Sequence, residues 1–91
     1  MPVYVHLPTP LRRLTQGQAR VEVTAATVSE LLAALEAAHP GMAEKLLDEN
    51  GAVRRYVNLY VNDEDIRFLQ GMATPLVDGD AIAIVPAIAG G

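Results

Sequence analysis

The segment Ala81-Ile82-Ala83-Ile84-Val85 is apolar at every position and lies between Asp78-Gly79-Asp80 and Pro86. Five residues suit a strand and are too few for a buried helix. A strand apolar on both faces belongs in the centre of a sheet, covered on one side and contacted on the other. In a chain of 91 residues that central position leaves room for one sheet and one core. A chain of this size exposes roughly 5,000 Å² when folded against roughly 14,000 Å² unfolded, so about two thirds of its surface goes into that core.

The flanking segments supply the partners. Val3-Tyr4-Val5-His6-Leu7 alternates, with Val3, Val5 and Leu7 on the buried side, and stops at Pro8. Ala19 to Val23 alternates again, with Ala19, Val21 and Val23 inward. The residues between, TPLRRLTQGQ, read as a loop. Thr27 and Glu30 make a capping box, and Val28, Leu31, Leu32 and Leu35 follow at the i, i+3, i+4, i+7 spacing of one buried helical stripe. Pro40-Gly41 ends that helix near His39. Residues 41–47 suit a short helical turn with Met42, Leu46 and Leu47 inward. Tyr56 to Val61 predicts a third strand, with Val57, Leu59 and Val61 on one face and Tyr56, Asn58 and Tyr60 on the other. Asn62 to Asp65 turns the chain, and Ile66-Arg67-Phe68 returns as a short strand. Gly79, within Asp78-Gly79-Asp80, is expected at positive φ. The order ββαββ plus a final apolar strand predicts an α+β fold: a mixed sheet with one main helix on one face. If the last strand pairs parallel with the first, the arrangement is a β-grasp, but pattern alone does not select it among α+β folds.

Composition narrows the chemistry. The chain has no cysteine, which excludes a disulfide scaffold, a thiolate metal site and a cysteine nucleophile. A net charge of −4 with one lysine, Lys45, argues against a nucleic-acid partner. No uncharged run is long enough to span a bilayer, and MPVYVHLP lacks a basic, then apolar, leader. A cytoplasmic protein with no membrane partner is expected.

Conventional sites are weak. His6 on a strand and His39 at a helix end have no second ligand at metal-binding spacing, so no metal is expected. Ser29, the single serine, suits a helix N-terminus better than a nucleophile. Asp63-Glu64-Asp65 lacks the calcium-loop pattern and reads as a solvated turn. Arg12 and Arg13 are loop charges able to meet an acidic surface.

The unusual feature is the end. A domain over residues 1–85 is followed by a flexible tail, Pro86-Ala87-Ile88-Ala89-Gly90-Gly91. Extended, its six residues reach about 20 Å. A thin, uncharged strand of that length can enter a narrow active site and present a terminal carboxylate. A frayed end is the plainer alternative.

Residues 76–91, LVDGDAIAIVPAIAGG, resemble the C-terminal signature of the ubiquitin-like sulfur carriers of the ThiS/MoaD type. LLAALEAAHPGMAEKLLDENG lies where that family has its helix. YVNLYVNDEDIRF (56–68) and GMATPLVDGD resemble the CysO-like branch, which carries sulfur for cysteine synthesis. The resemblance implies a β-grasp, ubiquitin-like fold and a carrier that is not itself an enzyme. Gly91 would be adenylated by an E1-like adenylating and sulfurtransferase enzyme and converted to a thiocarboxylate, with no trailing residues to remove. The thiocarboxylate would attack an aminoacrylate in a partner cysteine synthase that depends on pyridoxal phosphate (PLP). An S-to-N acyl shift and a metalloprotease would then release cysteine. ATP, PLP and metal would belong to those partners, with no cofactor bound by this chain.

Gly90 and Gly91 lack a Cβ that would crowd the reacting carboxylate. Pro86 keeps the tail extended, and Ala87, Ile88 and Ala89 complete the docking segment, with Ile88 and Val85 offering apolar grip. The alternatives are a carrier for molybdopterin, thiazole or tRNA thiolation, a ubiquitin-like modifier joined to lysines through Gly91, and a plain interaction domain.

Overall fold

The computed structural model describes residues 2–86. Strand β1 (Pro2–His6) buries Val3 and Val5 and leaves His6 exposed, as its alternation requires. It pairs antiparallel with β2 (Arg20–Thr24), setting Val3 opposite Val23 and Val5 opposite Val21. Helix α1 (Val28–Ala38) follows, then the short α2 (Met42–Leu46), β3 (Val57–Val61), the two-residue β4 (Glu64–Asp65) and β5 (Ala81–Pro86). The sheet order is β2-β1-β5-β3-β4. Strand β5 runs parallel to β1 and antiparallel to β3. This is the β-grasp arrangement, with the apolar strand at the centre because only there are both of its faces useful.

Helix α1 lies where its cap and stripe predict. Thr27 Oγ1 accepts from the Glu30 N–H at 3.2 Å, and the Glu30 carboxylate accepts from the Ala26 N–H at 3.0 Å. The carboxylate thus closes one residue earlier than a standard capping box. Val28, Leu31, Leu32 and Leu35 are buried against Val3, Val5, Leu59, Ile82 and Ile84 of the sheet within one core cluster. Glu36 lies off that stripe and serves the next helix: its carboxylate accepts from the N–H groups of Gly41 at 3.2 Å and Ala43 at 2.9 Å. Gly41, at φ +100°, makes the reversal that starts α2, and Met42 and Leu46 point inward. Gly79 takes φ +89°, as its place in the D-G-D turn requires.

Four expectations are corrected. The segment after Pro8 is not plain loop but a 3-10 helix over Thr9–Thr15, which tucks Leu11 and Leu14 against the core and buries Thr15. Leu11 and Leu14 lie three apart, the repeat of a 3-10 turn, but two apolar positions set no periodicity in the sequence. Ile66–Phe68 is also a 3-10 turn and not a strand, because the Asp65 carboxylate accepts from the Arg67 N–H at 2.8 Å and turns the chain there. Ala19 is exposed and precedes β2. Finally, Pro86 is the last residue of β5, opposite Val57, one residue beyond the boundary drawn after Val85.

Candidate functional site

The parallel pairing of β1 and β5 means both strands end at the same edge of the fold, where β2 and β3 begin. The chain therefore leaves the sheet from its central strand. Ala87, Ile88, Ala89, Gly90 and Gly91 lie outside the described residues. What can be described is the platform at their root.

One face of that platform is covered by α1. The other is open and is formed by alternate residues of the same strands. Register places Tyr4 beside Ala81 and His6 beside Ala83 on one side, with Tyr60 opposite Ala83 and Asn58 opposite Val85 on the other. Ala81 and Ala83 carry only methyl groups, so the two tyrosines stand above a shallow apolar floor. Arg20 lies over the Tyr4 ring, 5.1 Å from its centroid, in cation–π contact. Val85, 42% exposed, sits at the tail end of this floor, whereas its neighbours Ile82 and Ile84 are buried beneath it. The apolar character of Val85 is therefore not explained by the core.

A second apolar surface lies at the same end, on the helical side. A cleft of about 180 Å³ is lined by Pro8, Leu11, Lys45, Tyr56, Val57 and Ile84, among others. Tyr56 is half exposed there, one residue before the partner of Pro86.

Polar contacts hold both ends of β5's neighbourhood. At its start, the Asn62 amide donates to Asp80 Oδ1 at 2.8 Å and accepts from the Ala81 N–H at 3.0 Å, while Asp80 Oδ2 accepts from the Val77 N–H at 2.9 Å. Asn62 and Asp63 both take positive φ, as a two-residue hairpin turn demands. Beside Val85's partner, Arg67 donates to Asn58 Oδ1 and forms two bonds to Asp65, at 3.2 and 2.9 Å. These hydrogen bonds, and the guanidinium charge, hold the Asp65 carboxyl below its ordinary value of 3.8 and raise Arg67 in turn.

The other sequence candidates scatter. His6 is exposed on the open face, His39 caps the C-terminus of α1, and Ser29 is exposed in that helix's first turn. Arg12 and Arg13 fall in the 3-10 helix, where Arg12 Nε donates to Leu7 O at 3.1 Å. No group of three or more metal-ligating side chains occurs among the described residues, and none of their helices is long and apolar enough to cross a membrane. Sequence reasoning missed the Asp65–Arg67–Asn58 and Asn62–Asp80 links. The first had a weak signal in the D-x-R spacing; the second joins residues far apart in the chain and had none.

Known proteins share this architecture along the whole chain. The sulfur carrier protein CysO of Mycobacterium tuberculosis is 46% identical over 93 aligned residues, covering 100% of both chains. Small archaeal modifier protein 3 of Haloferax volcanii is 46% identical over 66 residues, 72% of this chain and 71% of its own. In the crystal structure of the Amycolatopsis orientalis BexX/CysO complex, one chain superposes with a TM-score of 0.91 at 44% identity, covering 98% of this chain and 99% of that one. The ThiS family model matches residues 5–91, through the Gly-Gly end. Strand order, central apolar strand and terminal glycines are thus accounted for together: the chain belongs to the ThiS family.

Proposed function

We propose that this protein is a sulfur carrier whose C-terminal Gly91 is adenylated by an E1-like enzyme and converted to a thiocarboxylate that supplies sulfur to a cysteine synthase. The observation that carries this reading is the 46% identity to a sulfur carrier protein, CysO, over the full length of both chains. The fold supports it as well, since β5, the strand that leads to the chain end, is the central strand of the sheet.

The chemistry explains the division of labour. A carboxylate is a poor electrophile, because its negative charge and resonance oppose attack. Adenylation joins a Gly91 oxygen to the α-phosphate of ATP and releases pyrophosphate. A sulfur nucleophile then adds to the carbonyl carbon and AMP departs, leaving a C-terminal thiocarboxylate. That sulfur forms the new carbon–sulfur bond in the partner synthase, acyl transfer to nitrogen links cysteine to Gly91, and a metalloprotease frees both. The carrier's own part is to hold the terminus out and offer docking surface. Gly90 and Gly91 keep the approach to the carbonyl open, and Ala87, Ile88 and Ala89 form the inserted segment. Val85 and the alanine floor give the body its contact; the existence of a BexX complex for a related carrier supports docking to an enzyme. ATP, PLP and metal act within the partners, and the cycle runs in the cytoplasm.

The likeness to small archaeal modifier protein 3 favours a second reading, a protein modifier joined to lysines through Gly91. Intact-mass analysis after incubation with an E1-like enzyme, ATP and a sulfur donor tests the first. A sulfur-for-oxygen exchange on the C-terminal fragment is expected. Isopeptide adducts on denaturing gels, with no such exchange, would favour the second.

A further inference from the structure

The β3–β4 hairpin covers only half of β3. Strand β4 pairs with Tyr60 and Val61, through Asp65 and Glu64, so among the described residues Val57–Leu59 have no strand partner on that side, although the Val57 N–H already donates to Arg54 O at 2.9 Å. This edge borders a groove of about 430 Å³. Val57, Leu59 and Ile66, all largely buried, form its floor, and Arg54, Arg55 and Arg67 stand on its rim. The acid lining it, Asp65, is engaged by Arg67. The groove is thus cationic on a chain whose net charge is −4.

Two features say what fits. A sheet edge without a neighbour recruits an extended chain through main-chain hydrogen bonds. The arginine rim selects carboxylates on that chain. Two of the guanidiniums are already committed, Arg54 to Glu44 O at 3.1 and 3.0 Å and Arg67 to Asp65, so they do not converge as a phosphate clamp would. The apolar floor also suits side chains better than a phosphate. The position is informative too: Val57 stands opposite Pro86, so the groove opens beside the point where the C-terminal segment leaves the sheet.

We propose that this groove receives an extended, acidic segment of the adenylating enzyme, added as a strand along Val57–Leu59 while the C-terminus occupies the active site. The proposal rests on the carrier reading above and names where its partner holds the body. It is tested by hydrogen exchange and affinity measurement on the full-length chain with the adenylating enzyme that loads it, comparing the wild type, Arg55→Glu in the groove and Arg13→Glu outside it. Slowed exchange across residues 53–59 in the complex is expected. Arg55→Glu should weaken binding about fivefold at low salt, an effect that fades as salt screens the charge. Unchanged exchange at 53–59, or equal weakening by Arg13→Glu, would overturn the groove while loading of Gly91 leaves the carrier reading intact. A wild-type chain that never gains sulfur would overturn both.

Discussion

Pro86, the last residue of β5, stands opposite Val57, the first residue of β3. Proline has no N–H to add to the ladder at that position, and it is the last described residue of the central strand. Deleting Gly91 is expected to abolish sulfur acceptance in an intact-mass assay and to leave the thermal midpoint unchanged. Gly90→Val should slow loading by on the order of tenfold or more, since a small misplacement of the reacting carbonyl is costly. Normal loading of either variant would contradict the role given to the terminal glycines.

Val85 and Ile84 are neighbours with opposite fates. Val85→Asp places a charge on the open face and should cost about 1 kcal/mol or less of stability through strand preference, while weakening association with the adenylating enzyme. Ile84→Ala empties a core position and should cost about 2–5 kcal/mol. Urea unfolding and a binding titration on the two variants give the contrast; equal destabilisation would mean Val85 packs as core.

The Thr27 cap predicts a smaller, local effect. Thr27→Ala removes the acceptor for the Glu30 N–H and should cost about 1 kcal/mol in denaturant unfolding. Binding through the open face should not change.

The Asp65–Arg67 pair gives a pH dependence with a definite sign. The folded-state value of Asp65 lies below its ordinary 3.8, so the pair's contribution is fully present above that value. It is lost as pH falls through the lowered folded value. In Asp65→Asn this part of the acid limb should disappear, so the urea midpoint should fall less steeply below about pH 4 than in the wild type. Arg67 is 63% exposed and the Asp65 side chain 10%, so added salt should screen the pair in part and reduce the difference. An identical acid limb in the two proteins would show that the pair contributes nothing.

Local signals account for much of the architecture. Thr27 with Glu30, the Val28–Leu35 stripe, the alternation of β1 and β3, and Gly79 in its turn each depend on neighbours within a few residues, and each falls where its pattern places it. The errors occur where a short polar contact outweighed a weak pattern. Ile66–Phe68 has strand-forming residues, but the Asp65 carboxylate caps a turn there. TPLRRLT has loop chemistry, but Leu11 and Leu14 find the core and wind the segment into a 3-10 helix.

By itself the sequence determined that Ala81–Val85 is a central strand, that one capped helix covers the sheet, and that the chain closes on two glycines, because composition and period are properties of the chain alone. Tertiary structure decided the rest. Only the parallel pairing of β5 with β1 puts Val85, Ala83 and the two tyrosines on one open face. Only the early end of β4 exposes the cationic groove beside Val57. Both depend on which strands become neighbours, and that choice is made by packing among residues distant in the chain, which no local pattern records.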